Sequence, residues 1–326
     1  MKDSQPRTIY LADYQAPDYL VDHTELTFDL DPQATLVTSR LKIRRNPAVT
    51  KAGESLPPLW LDGVDLELLS IAENGELLPA QRYQEKPGGL ALAVDQAEFE
   101  LEIQTRIAPE SNTSLEGLYL SNGMYCTQCE AEGFRKITFY PDRPDVMSVF
   151  TTTIIAPASF PVLLSNGNKV DSGTADDGRL RITWEDPFAK PSYLFALVAG
   201  DLQFVEDTFT TCSGRQVKLQ LFTEARNIGK CAHAMTSLKH SMRWDEEVYG
   251  REYDLDIFMI VAVDHFNMGA MENKGLNIFN SACVLASPGT ATDAAFQRIE
   301  SIVAHEYFHN WSGNRVTCRD WFQLSL

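Results

Sequence analysis

His305-Glu306-Tyr307-Phe308-His309 places two histidines four residues apart near the end of the sequence. On an α-helix, side chains at i and i+4 stack one turn apart on the same face. Both imidazoles can then reach a single Zn²⁺ at about 2.0–2.1 Å. Glu306 points roughly 100° round the helix, off the ligand face, where it can meet a metal-bound water as general base. The neighbouring residues support the helix. Thr292-Asp293 offers an N-cap region, Phe296, Ile299, Ile302 and Val303 recur at helical spacing, and Gly313 sits where the helix is expected to stop. The alternative is two chance histidines on an amphipathic helix, so the motif needs support from the rest of the chain.

Upstream, the pattern to about residue 200 is mostly strand after an extended, Pro-punctuated lead-in over 1–18. Leu26, Phe28 and Leu30 alternate with polar residues, as do Leu41 with Ile43, and Phe99 and Leu101 with Ile103. Turn chemistry separates the runs at Glu73-Asn74-Gly75, Lys86-Pro87-Gly88-Gly89, Ser165-Asn166-Gly167-Asn168 and Asp176-Asp177-Gly178. Short strands with no long helical pattern between them predict an all-β N-terminal domain, a curved sheet or sandwich, over residues 1–200. Two more strands are expected around Leu202–Phe209 and Gln216–Phe222. The pattern then changes. Ala232, Met235, Leu238 and Met242 predict a helix within Asn227–Tyr249, closed by Gly250. His233 and His240 lie on it seven residues apart, too far for one metal, and read as surface or interface groups. Leu255–Val263 reads as a buried strand, and Leu276–Phe279 as another. Residues 201–326 are therefore expected to form an α+β domain.

Composition narrows the function. The sequence has 326 residues, 44% apolar, with a net charge of −17. Nucleic-acid binding needs basic patches, so it is not expected. No run of about 18 apolar residues marks a membrane span, and Met1–Arg7 lacks the apolar core of a signal peptide. Cys126-Thr127-Gln128-Cys129 has no second pair to complete a structural zinc site. Reduced thiols in a cytoplasmic protein are the expectation.

Between the last two expected strands lies Phe266-Asn267-Met268-Gly269-Ala270-Met271-Glu272-Asn273-Lys274-Gly275. Gly269 and Ala270 let a ligand backbone approach, a strand edge there can pair with an extended peptide, and Glu272 adds a fixed negative charge. Read alone, this is better taken as a Gly-containing hairpin loop with an exposed Glu.

Gly269-Ala270-Met271-Glu272-Asn273 ahead of His305-Glu306-x-x-His309, with Glu130 in Cys129-Glu130-Ala131-Glu132-Gly133, resembles the paired signature of the gluzincin aminopeptidases. The resemblance spans essentially the whole chain. It implies a β-rich N-terminal domain followed by a thermolysin-like zinc peptidase domain. His305 and His309 match zinc ligands, and Glu306 matches the general base. Glu272 and Glu130 match the pair that grips the free α-ammonium group of a peptide. Gly269 and Ala270 match backbone contacts to the peptide, and Met271 and Asn273 belong to the same motif. Met268 and Gln128 match residues that line the pocket for the first side chain. The implied activity is release of N-terminal amino acids from peptides. A thermolysin-type endopeptidase is disfavoured by the two glutamates, and an epoxide hydrolase of the same family only weakly.

One part of the family pattern falls outside the sequence. A glutamate, the third zinc ligand, is expected eighteen residues after His309, at position 328, two beyond Leu326. A catalytic zinc ordinarily has three protein ligands. The chain as given is therefore expected to be weak or inactive, and a non-catalytic peptide-binding fragment is its rival reading. Further C-terminal polypeptide is expected to pack on residues 201–326.

Overall fold

A computed structural model describes residues 8–49 and 55–324. The expectations for Met1–Arg7 and for the end at Leu326 lie outside these residues. Alternation of buried and exposed side chains, as in Thr35–Arg45, builds an eight-stranded sheet. Its order is Asn168–Thr174, Leu180–Pro191, Met147–Ala156, Tyr19–Asp29, Thr35–Arg45, Glu98–Ile107, Glu67–Glu73 and Glu76–Leu77. Neighbours are antiparallel except Tyr19–Asp29 with Met147–Ala156. The core beneath it is aromatic. Phe134 lies edge-on to Phe195 and Phe150, and Phe28 stacks on Phe195 at 5.8 Å. Two smaller sheets, of four and three strands, complete the β-rich region.

The second region is a five-stranded mixed sheet in the order Gln203–Thr210, Gln216–Thr223, Ile257–Val263, Leu276–Asn280 and Ala270–Met271. Helices α1 (Ala232–Tyr249) and α2 (Asp293–Phe308) pack on one another and share a core with it. Another apolar cluster joins the four-stranded sheet to this one. Tyr119, Met124 and Tyr193 meet Phe222, Met259 and Leu276 there. The architecture is thus a β-rich N-terminal region followed by an α+β region. Among the described residues, no helix is long and apolar enough to cross a membrane.

Three local findings refine the sequence reading. Helix α1 begins at Ala232 rather than Asn227, because Gly229 is a poor helix former and residues Ala225–Lys230 form a 3₁₀ segment. Its end at Gly250 is as expected, with φ of 63°. Helix α2 ends at Phe308, well before Gly313. Gly167 is obligatory in its turn: with φ of 90°, a Cβ would sit 2.0 Å from the Glu185 carbonyl.

Thr292 caps α2 by accepting the Ala295 N–H at 3.3 Å. Thr292→Ala is expected to cost about 1 kcal/mol, read as a lower denaturant midpoint at unchanged slope. An unchanged midpoint would mean that the cap contributes nothing.

Candidate active site

The end of α2 carries the two histidines. Their Nε2 atoms are 3.1 Å apart, close to the roughly 3.3 Å that two tetrahedral Zn–N bonds of about 2.0–2.1 Å would impose. The Nδ1 of His309 donates to the Ser312 carbonyl at 2.6 Å, which fixes the ring and leaves Nε2 free as a ligand. Gly313 explains that bond. Its φ is 128°, and a Cβ there would lie 2.9 Å from His309 Nδ1. This glycine does not stop the helix; it makes room for the histidine ring in the turn that follows.

Glu306 points inward and is only 6% exposed. It faces Glu272, which is 8% exposed, at the end of the Ala270–Met271 strand. Ligand-capable atoms of Glu272, Glu306 and His309 all lie within 4.8 Å of one another. Glu306 is thus nearer His309 than its position on the helical wheel suggests.

Glu130 arrives from the other region, just past the strand Met124–Gln128. Burial pushes Glu306 up to about 8, and repulsion from Glu272 and then Glu130 adds to it. Glu130 is pushed up to about 7 by burial and then by Glu272, with His309 acting in the opposite sense. Burial also raises Glu272. His305 is lowered, by desolvation first and by His309 second. Three half-buried or buried carboxylates therefore converge beside two imidazoles and repel one another.

The loop residues lie at the edge of the five-stranded sheet and in the turn beside it. Ala270 and Met271 pair with Phe279 and Ile278 and form the free edge of the five-stranded sheet. Gly269 is exposed, and its carbonyl accepts the Asn280 N–H at 2.9 Å. Asn273 is buried, and its carbonyl closes the turn by accepting from Leu276 N and Asn277 Nδ2. Gln128 Nε2 donates to the Met268 sulfur at 3.1 Å and to the Glu130 carbonyl at 3.2 Å. These two side chains and Glu130 thus share one wall.

Other groups fall away from this site. His233 bonds the Phe296 carbonyl at the α1–α2 contact, and His240 lies exposed near Glu300. Cys126 and Cys129 are buried free thiols. Spacing missed Asn310, Asn314 and Lys274, which hold the site from behind. Nothing in their sequence surroundings marks them, because their burial is decided by the elements that close over them.

Comparison with known proteins places the chain in a family. Residues 21–194 match the Peptidase M1 N-terminal domain, and residues 233–326 match the Peptidase family M1 domain. Aminopeptidase N of Escherichia coli is 56% identical over 323 residues, covering 99% of this chain and 36% of that protein. Aminopeptidase N of Caulobacter vibrioides is 54% identical over 326 residues, covering 100% of this chain and 37% of that protein. The crystal structure of Legionella pneumophila aminopeptidase A in complex with aspartic acid superposes with a TM-score of 0.91 at 39% identity. It covers 96% of this chain and 37% of that one. The chain thus spans little more than a third of the length of these relatives. Both matched segments are successive parts of one family, and the relatives share its β-rich region as well as its histidine helix: the chain belongs to peptidase family M1.

Proposed function

We propose that this chain carries the zinc-binding and amine-binding parts of an aminopeptidase that removes single residues from peptide N-termini. The observation that carries the reading is the convergence of Glu130, Glu272 and Glu306 beside His305 and His309. Buried carboxylates that repel one another call for cations. A zinc ion and a substrate ammonium would supply them from opposite ends of the site.

In this reading His305 and His309 would hold the metal through Nε2. Bound zinc would lower the pKa of its water towards about 7 and polarise the scissile carbonyl. Glu306 takes a proton from the attacking water and passes it to the leaving amine nitrogen. Glu272 and Glu130 accept hydrogen bonds from the α-ammonium, so only a peptide whose charged end reaches them sets its first peptide bond at the histidine pair. The free edge at Ala270–Met271 pairs with the peptide backbone, and Gln128 and Met268 line the space for the first side chain.

A glutamate at position 328, as the family pattern implies, would complete the zinc ligands. Full zinc affinity and turnover are proposed to require it, together with further polypeptide packing on residues 201–326. The division near residue 200 into β-rich and peptidase domains belongs to the same proposal. So does a cytoplasmic setting, which six free cysteines support.

The test compares an alanyl anilide with its N-acetyl counterpart. Free-amine substrate should be strongly preferred, and Glu272→Ala should raise its KM by about 30–150-fold, the worth of a charge-assisted contact of about 2–3 kcal/mol. Equal rates on the two substrates would point to an endopeptidase instead.

A further inference from the structure

We propose that Lys274 is a positioning residue that sets the distance between the amine-binding carboxylate Glu272 and the histidine pair. The proposal rests on the aminopeptidase reading above.

Lys274 follows Glu272 by two residues and is 2% exposed. An ammonium taken out of water costs several kcal/mol unless it is paired and hydrogen-bonded. Here its Nζ donates to Asp254 Oδ1 at 2.6 Å and to Asn310 Oδ1 at 3.3 Å, and it lies 5.1 Å from the Tyr253 ring centroid. The second oxygen of Asp254 accepts from Arg315 Nε at 2.6 Å. One carboxylate therefore ties two segments together: the strand end that carries Glu272, and the turn that follows His309.

A second strap runs alongside. Asn314 Nδ2 donates to the Glu272 carbonyl at 3.1 Å, while the Asn314 N–H donates to the His309 carbonyl at 2.9 Å. Asn310 adjoins His309 in sequence, and its own amide donates to the Tyr307 carbonyl at 2.7 Å. The bond from Lys274 to Asn310 thus ends beside a proposed zinc ligand, and the one to Asp254 continues through Arg315 into the turn that follows it.

Stability alone is a poor reason for such a residue. A methionine or leucine of similar volume fills a buried site without desolvating a charge, and replacing buried ion pairs by apolar groups is often neutral or stabilising. What a charged, directional tether adds is geometry. The amine grip and the metal ligands come from different elements, and a displacement of about 1 Å between them can cost about 100-fold in rate.

The experiment uses the zinc-loaded enzyme and two variants, Lys274→Met and Asp254→Asn. Asp254→Asn keeps an acceptor for Arg315 and covers the case in which Lys274→Met fails to fold. For each, kcat/KM is measured on the alanyl anilide and on its N-acetyl counterpart, with zinc content and melting temperature. Both variants are expected to retain zinc and fold. Their preference for the free amine should fall about tenfold, mostly through a higher KM. Retention of the full preference, with or without a lower melting temperature, overturns the proposal and leaves the aminopeptidase reading intact. Failure of both variants to fold overturns it too, since the Lys274–Asp254 contact is then a stabilising one. Absence of any free-amine preference in the unsubstituted enzyme overturns both.

Discussion

Replacing Glu306 by Gln is expected to lower kcat by about 10²–10⁴-fold, the usual contribution of a positioned general acid–base group. Glutamine keeps the shape of the side chain and removes its ability to accept a proton. His305 and His309 should be undisturbed, because His309 is fixed from its other nitrogen by the Ser312 carbonyl. Zinc content should therefore stay at the unsubstituted level. Stability should hold or rise, since the change removes one of three carboxylates that repel one another. This combination separates a base from a ligand. Glu306 lies within 4.8 Å of His309 and Glu272 by its carboxylate oxygens, close enough to ligate. Loss of zinc in parallel with activity would make it a ligand, and a loss of less than tenfold would put the base elsewhere. A base must also be ionised. Burial and its acidic neighbours push Glu306 up to about 8, whereas the positive charges of a metal and a substrate ammonium act the other way.

Local features of the site were legible in the sequence, and its assembly was not. The histidine pair and the cap at Thr292 depend on residues within one helix, where spacing carries the geometry. Alternation likewise exposed the long strands, because one buried face imposes period two. Glu130 is different. It comes from the β-rich region, and nothing in its own surroundings points at Glu272; only the family resemblance joined them. Lys274 and Asp254 were invisible for a related reason. A buried, paired charge is written with the same letter as a solvated one, and burial is decided by the elements that close over it. Ala270–Met271 is too short to show alternation, although it forms the sheet edge at the site. Gly313 shows the converse error. It was read through helix-stop statistics, while its role is set by the ring of His309 lying against it.

Asp186→Ala is expected to destabilise the fold by about 3–5 kcal/mol, the usual cost of removing one partner from a buried ion pair. Asp186 and Lys190 have side chains 0% and 2% exposed and are 3.1 Å apart. The Lys190 ammonium also lies 4.1 Å from the Phe150 ring centroid, within the aromatic core. Burial already holds Lys190 below its ordinary 10.5, with Asp186 acting in the opposite sense. Without Asp186 the folded state must either keep an unpaired ammonium or release its proton. A lysine depressed in the folded state costs stability wherever the unfolded chain is still protonated. The deficit of the variant should therefore be largest near neutral pH and shrink as pH rises towards that ordinary value. Denaturant titrations of both proteins from pH 7 to 10 measure that difference directly. Asp186→Ala with Lys190→Met should recover most of the loss, because the stranded charge is gone. A deficit that is the same at every pH, and that the second substitution does not relieve, would assign the cost to lost packing and to the Phe188 N–H that Asp186 accepts at 3.2 Å, rather than to the buried charge.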